Sequence, residues 1–288
     1  MSTVVGHQKI LDFFNTAVEK DNLSHAYCMV GPDYVGKSSL VKKICRKLLA
    51  DNLDQSPDFK EVKTRDSQEI RVDQIREARS FVATQPHRKR KILLIQEGEK
   101  MNESAANAFL KTLEEPAEDT IIFVLLTDEN SLPDTINSRC QTLYVRPVSQ
   151  TEIKEYLQEQ ELDPEIITEI SSTACGLPEK AKEWAKNFES FTDFKEKVDI
   201  LNKLIDKPFY KKTNTVNELY NNYSRDQLRE FFREWQLGLH LYLQDKIELK
   251  LSSRQVKTLL QQLQQSKEKL RKNMNKKLIL DQILQVIP

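Results

Sequence analysis

Two short apolar runs mark the hydrophobic pattern in the middle of the chain. They cover residues 92–95 and 121–126, and both are bounded by polar positions. Between them lies an alanine-rich amphipathic segment, residues 102–113, which Pro116 closes off. This order predicts a strand, a helix and a second strand that is parallel to the first and buried on both faces.

Further strands and helices are predicted on both sides of this unit. Residues 25–30 predict a buried strand, residues 56–59 a turn into another strand, and the spacing from Ile70 through Ile75 and Ala78 a helix. After Pro147 the pattern is helical, with short helices expected at 151–160, 163–174 and 179–186. The later helices carry three apolar stripes: Leu228, Phe231, Phe232, Trp235 and Leu239; Val256, Leu259, Leu260 and Leu263; and Leu270, Met274, Leu278 and Ile283. We interpret these stripes, with Trp184 and Trp235, as core.

Composition narrows the class of protein. The 288 residues contain 44 Lys+Arg and 44 Asp+Glu, so no net charge selects nucleic acid or membrane as a partner. No apolar run reaches membrane-spanning length and the N-terminus lacks a signal peptide, so we expect no membrane partner. The four cysteines are scattered without a C-x-x-C pair, which favours a reducing cytoplasm and predicts no zinc.

The string GPDYVGKS at residues 31–38 satisfies the phosphate-loop pattern G-x-x-x-x-G-K-[ST]. It stands between a predicted strand and a predicted helix, which is the context the pattern requires. In such loops backbone N–H groups and the helix N-terminus hold phosphate oxygens. Gly31 and Gly36 bound the loop, Lys37 supplies positive charge, and the Ser38 hydroxyl reaches Mg²⁺.

A basic run at residues 87–91 has two interpretations. It is a solvated lead-in to the buried strand that follows, or it contacts a DNA backbone.

The strings HAY, GP-x-x-x-GKS, SPDF, KMNESAANAFLKTLEEP and SRC together resemble the bacterial clamp-loader branch of the AAA+ ATPases, and within it the delta-prime family of DNA polymerase III subunits. The resemblance is strongest over residues 1–147. It implies an α/β plus all-α fold. A RecA-like AAA+ P-loop domain with a parallel sheet is expected at 1–147, a small three-helix lid at 148–188, and a C-terminal helical collar at 189–288.

The resemblance also implies roles for single residues. Gly31, Gly36, Lys37 and Ser38 match the nucleotide-binding loop, with Ser38 as the Mg²⁺ contact. Thr127 matches the sensor at the end of the fourth strand. Lys180 falls where many relatives carry a lid arginine that touches the γ-phosphate.

Arg139 of the SRC motif matches the arginine finger, which is offered in trans to the nucleotide of a neighbouring subunit. A local alternative stays open, in which Arg139 pairs with a carboxylate of this chain such as Asp128 or Asp134.

Two positions depart from the family pattern. Gln96 stands where an acidic residue helps to hold Mg²⁺, and a neutral amide is a poor partner for that ion. Glu97 keeps the water-positioning place as a vestigial catalytic residue. Tyr34 replaces a small glycine in the loop, where it resists positive φ and crowds phosphates. We therefore expect ATP and Mg²⁺ to bind weakly or not at all.

The leading hypothesis is a non-hydrolysing clamp-loader subunit that supplies Arg139 to a neighbouring ATPase. Its partners would be gamma/tau-type and delta subunits, the sliding clamp, and primed DNA through the assembled complex. The alternative is an active motor-type ATPase that uses Lys37, Ser38, Glu97 and Thr127. A third class, a stand-alone DNA-binding AAA+ protein, has no added DNA-binding module in its favour.

Overall fold

The fold is a five-stranded sheet with surrounding helices, followed by further helices. The computed structural model describes residues 3–64, 69–116, 118–205 and 207–288. The strands are β1 (Ala26–Val30), β2 (Phe59–Val62), β3 (Lys91–Ile95), β4 (Thr120–Leu126) and β5 (Gln141–Tyr144). The helices are α1 (Gln8–Glu19), α2 (Lys37–Leu49), α3 (Val72–Val82), α4 (Glu103–Glu114), α5 (Asp134–Asn137), α6 (Gln150–Gln158), α7 (Pro164–Thr173), α8 (Pro178–Lys186), α9 (Phe188–Ile205), α10 (Phe209–Asn222), α11 (Arg225–Leu243), α12 (Ser253–Arg271) and α13 (Lys276–Val286).

Contacts divide the chain into two compact units. One unit comprises Met1–Glu159 and Gly176–Lys180, and the other comprises Gln160–Cys175 and Ala181–Pro288. The first contains the sheet and the phosphate loop, and the second is helical. The boundaries expected at residues 147 and 188 stay a prediction.

The sheet is parallel and has the strand order β2-β3-β4-β1-β5. Every residue of β1, β3 and β4 is buried, as expected for strands covered on both faces. Successive residues of a strand point to opposite faces. Leu93 and Ile95 therefore belong to one core cluster, and Ile92 and Leu94 to the other. The predicted strand–helix–strand unit is confirmed.

Local signals explain several helix ends. The Asn102 side chain accepts a hydrogen bond of 2.9 Å from the Ala105 N–H and so caps α4. Asp163 caps α7 in the same way, with Pro164 in its first turn. The prediction that α3 includes Ile70 is wrong. Ile70 instead forms a parallel bridge with Met101, because its N–H and C=O are taken by the Lys100 C=O and the Asn102 N–H.

The helical unit has its own apolar core, built on α9–α13. The first two predicted stripes are buried or partly buried, and Trp184 and Trp235 are fully buried. The third stripe is wrong in part, since Met274 is 44% and Leu278 52% exposed. The chain leaves the helix after Arg271 and passes through Asn273 at φ 57°, which resets the helical phase. α13 consequently buries Ile279, Leu280, Ile283 and Leu284.

A buried carboxylate holds the basic run, residues 87–91, against the first of the two units, which we call the P-loop unit. Asp58 is fully buried and accepts hydrogen bonds of 2.8 and 2.9 Å from the backbone N–H groups of His87 and Arg88. The Arg88 guanidinium donates to the Leu49 and Ala50 carbonyls at the end of α2. These contacts give Arg88 a structural role, while DNA contact by the run stays a prediction.

Burial alone would raise the pKa of the Asp58 carboxyl, but the two backbone donors and nearby His87 and Lys91 outweigh it and lower that pKa. A lowered folded-state pKa contributes stability above the unfolded pKa, and this contribution is lost as pH falls through the folded value.

We predict that Asp58→Asn lowers the free energy of unfolding by about 2–3 kcal/mol at neutral pH, because the charged, buried acceptor of two backbone N–H groups is lost. Urea unfolding measures this, and the difference from wild type should shrink as pH falls below about 4. Asp54→Asn removes the same charge from an exposed turn and serves as the control. Equal stability of the two variants would contradict the anchoring role of Asp58.

Candidate nucleotide site

A cavity of about 370 Å³ lies at the carboxyl ends of the central strands. The phosphate loop and the first turn of α2 form one wall, and the residues after β3 and β4 form another. Parallel strands place their carboxyl ends at one edge, which is where ligands of such sheets gather. The cavity brings together Lys37, Ser38, Gln96, Glu97 and Thr127, all singled out in the sequence.

Close packing and backbone conformation explain the loop glycines. A Cβ on Gly31 would lie 2.2 Å from the Val145 carbonyl oxygen, so a side chain does not fit there. Gly36 has φ 95°, a conformation that favours glycine. Tyr34 also has positive φ, at 61°. The backbone at position 34 therefore has the left-handed conformation that favours glycine, as expected. Tyr34 adopts this conformation at a steric cost.

Lys37 is turned onto its own loop. Its Nζ donates to the carbonyl oxygens of Gly31 at 2.5 Å and Pro32 at 2.8 Å. Burial lowers the pKa of Lys37, and the carboxylates of Asp33, Glu99 and Glu97 oppose that shift. Lys37 thus donates hydrogen bonds to carbonyl groups of its own loop and lies near carboxylates of this chain.

Gln96 connects the phosphate loop to β2. Its Nε2 lies 2.6 Å from Ser38 Oγ and 2.6 Å from Glu61 Oε1. Glu61 Oε1 in turn lies 2.9 Å from Lys42 Nζ. Burial alone would raise the pKa of Glu61, but the hydrogen bonds from Lys42 and Gln96 outweigh it and lower that pKa. The result is a chain of four polar side chains, Ser38–Gln96–Glu61–Lys42.

This network does not fit Mg²⁺. Mg²⁺ requires oxygen ligands in near-octahedral arrangement, whereas an amide N–H₂ group faces Ser38 here. The carboxylate of Glu61 accepts from that group, and an ionised carboxylate is an acceptor only, which fixes the amide orientation. Among the described residues, no group of three or more His, Cys, Asp or Glu side chains is placed to hold a metal ion.

The other catalytic candidates also have partners within the chain. Glu97 pairs with Lys100 and accepts a hydrogen bond of 3.3 Å from Thr64. Thr127 donates to Glu99 Oε1 at 3.0 Å. Burial raises the pKa of Glu99, and Asp33 adds to that effect. Glu99 is thus a further acidic group of the cavity.

Lys180 lies against Tyr34. Its Nζ is 4.9 Å from the Tyr34 ring centroid, which is cation–π distance, and its side chain is buried. The Tyr34 carbonyl accepts a hydrogen bond of 3.0 Å from the Glu179 N–H. The aromatic ring therefore contacts the cation that the resemblance assigns to a γ-phosphate.

Arg139 lies on the surface of the same unit, after α5 and immediately before Cys140 and β5. Its side chain is 37% exposed. It forms an ion pair with Glu114, at 3.1 Å, so the local pairing with a carboxylate does occur, with Glu114 in place of Asp128 or Asp134. Its Nη1 also donates to the Thr135 carbonyl at 2.8 Å.

Sequence reasoning missed Glu61, Glu99 and Glu114. Glu61 lies opposite Leu94 in the β2–β3 register, which directs it towards Gln96. Glu99 is three residues from Gln96, and this proximity was the only sequence signal for it. Glu114 was within a recognised motif, but nothing in that motif indicated Arg139 as its partner.

None of the described helices is long and apolar enough to cross a lipid bilayer. The strand order, the phosphate loop between β1 and α2, and the helical segments that follow define an AAA+ P-loop protein. A solved DNA polymerase III gamma subunit-related protein from Thermotoga maritima shares this fold. It has a TM-score of 0.57 and 19% identity, over 95% of this chain and 97% of that one.

A family model described as "DNA polymerase III, delta subunit" matches residues 6–149. The DNA polymerase III subunit delta' of Bacillus subtilis is 30% identical over 207 residues, which are 66% of this chain and 62% of that protein. The subunit delta' of Pseudomonas aeruginosa is 34% identical over 139 residues, 41% of this chain and 42% of that protein. The matched regions thus span less than two thirds of these relatives. The chain belongs to the delta-prime family of DNA polymerase III subunits.

We predict that Gln96→Asp makes stability depend on Mg²⁺. In metal-free buffer the variant loses the amide bridge and faces Glu61 with a second carboxylate, which costs about 1–3 kcal/mol of unfolding free energy. Added Mg²⁺ should recover part of this loss, because two carboxylates and a hydroxyl are hard oxygen ligands. Urea unfolding with EDTA or Mg²⁺ measures the difference.

Gln55→Asp, in an exposed turn, is the matched control and should show no dependence on Mg²⁺. A wild-type chain that gains stability from Mg²⁺ alone would contradict the metal-excluding geometry around Gln96.

Proposed function

We propose that this chain is a non-hydrolysing clamp-loader subunit that supplies Arg139 to the ATP site of a neighbouring subunit. Membership of the delta-prime family supports the place in a clamp loader. The observation that carries the non-hydrolysing role is the Gln96 amide, which hydrogen-bonds Ser38 where a metal-holding carboxylate is needed. Phosphoryl transfer in P-loop proteins depends on a metal that bridges phosphate oxygens.

The charge of the cavity supports the same conclusion. Asp33, Glu97, Glu99 and Glu179 line it, and Lys37 is the one basic residue among the described residues that line it. A triphosphate would add several negative charges to a site where burial and Asp33 already raise the pKa of Glu99. Without a divalent cation to offset these charges, binding of ATP is weak or absent.

Arg139 is suited to the opposite role. It is partly exposed, it is not among the described residues that line the cavity of the phosphate loop, and it lies two residues before β5. A guanidinium that enters a neighbour's site can stabilise the charge of the transferring phosphoryl group. The partners in this proposal are gamma/tau-type and delta subunits, a sliding clamp, and primed DNA bound by the assembled complex.

A motor-type ATPase is the competing function, since Lys37, Ser38, Glu97 and Thr127 share one cavity. Its weakness is that each of these side chains already has a partner in this chain.

We expect the purified chain to hydrolyse ATP no faster than its Lys37→Ala variant, because neither holds Mg²⁺ at the phosphate loop. Steady-state phosphate release measures this. Turnover above that of the variant would favour the motor-type function.

We expect Arg139→Ala to lower DNA-stimulated ATP hydrolysis of the complex reconstituted with gamma/tau-type and delta subunits, while assembly stays intact. The site that Arg139 faces should lose a factor on the order of 10³–10⁵, so total turnover falls by the share that this site contributes. Arg79→Ala, at an exposed position of α3, is the control. Unchanged turnover would refute the role of Arg139.

A further inference from the structure

Two separate elements direct the guanidinium of Arg139. Its Nη1 donates to the backbone carbonyl of Thr135, within α5, at 2.8 Å. Its Nη2 lies 3.1 Å from Oε1 of Glu114, the last residue of α4. α4 packs against α5, which keeps the Thr135 carbonyl and the Glu114 carboxylate close to each other.

This arrangement leaves donors available. A guanidinium has five N–H groups in a planar fork. Thr135 and Glu114 take two of them, and no other acceptor for Arg139 is found among the described residues. With 37% of its side chain exposed, Arg139 can therefore donate to an external anion without first breaking both contacts.

We propose that Glu114 is a positioning residue for Arg139, which holds the guanidinium in the direction of the neighbouring subunit's triphosphate. This inference rests on the proposed function of Arg139. In the free chain, Glu114 adds a second contact to that with the Thr135 carbonyl and so further restricts the rotamers of this long side chain before the neighbour binds. A long side chain such as arginine loses substantial rotamer entropy when it becomes ordered. Because Glu114 already restricts Arg139 in the free chain, less entropy is lost when the neighbouring subunit binds.

The strength of the pair suits such a role. Both side chains are partly exposed, 37% for Arg139 and 44% for Glu114, so solvent screens their attraction. The contact is weak enough to yield to a triphosphate, which carries several negative charges where Glu114 carries one. We therefore expect its loss to reduce turnover by at most about fivefold, which corresponds to about 1 kcal/mol.

The next residue provides a matched control. Glu115 is exposed, has the same charge, and lies beyond the end of α4. Among the described residues, Glu114 and not Glu115 forms the ion pair with Arg139. Glu115→Ala therefore changes the net charge as Glu114→Ala does, without removing an acceptor from the guanidinium.

The test uses the complex reconstituted with gamma/tau-type and delta subunits. Glu114→Ala should lower the kcat of DNA-stimulated ATP hydrolysis about two- to fivefold and leave KM unchanged, because orientation rather than nucleotide binding is lost. Glu114→Gln keeps an oxygen acceptor and should restore most of the turnover. Glu115→Ala should match wild type, and gel filtration should show equal assembly for all variants.

Two results would overturn the inference: equal turnover of the Glu114→Ala and Glu115→Ala complexes, or higher turnover after Glu114→Ala, which would make Glu114 a competitor of the triphosphate. A comparison with the Arg139→Ala variant distinguishes failure of this inference from failure of the proposed function. If Arg139→Ala lowers turnover and Glu114→Ala does not, only the positioning role fails. If Arg139→Ala itself has no effect, the proposed function fails.

Discussion

Parallel pairing of five strands, of which β1, β3 and β4 are fully buried, is the constraint on which the unit with the phosphate loop depends. It requires apolar residues on both faces of β1, β3 and β4, and it brings the carboxyl ends of these strands to one edge. The segments that follow the strands carry polar side chains, which therefore come together at that edge. The phosphate loop, Gln96 and Thr127 share one cavity for this reason.

Within that cavity the polar groups bond to one another. Lys37 is bound by loop carbonyls, Ser38 by Gln96, Thr127 by Glu99, and Lys180 contacts the Tyr34 ring. Buried polar groups are costly without partners. Lys37, Ser38 and Thr127 have partners within the chain and do not depend on a metal or a phosphate for a hydrogen bond, which supports the proposed non-hydrolysing role.

Arg139, by contrast, is not among the described residues that line this cavity. It is partly exposed and held by two weak contacts, so it remains able to donate to another molecule. The same polypeptide thus combines an internally bonded phosphate loop with an arginine available at its surface. In the proposed complex, ATP hydrolysis would occur where this surface meets a neighbouring subunit.

The sequence by itself determined the buried strands, the helix capped by Asn102, the loop conformation required at Gly36, and the residue types at Gln96 and Arg139. Each of these depends on local periodicity or on a contiguous motif. Only the tertiary structure decided that Gln96 joins Ser38 to Glu61 and that Glu114 pairs with Arg139. These partners come from separate segments, and strand register and helix packing bring them together. The structure also decided which residues are buried after Arg271. A short break between two helices changes which face of the second helix is buried, while the apolar composition stays the same.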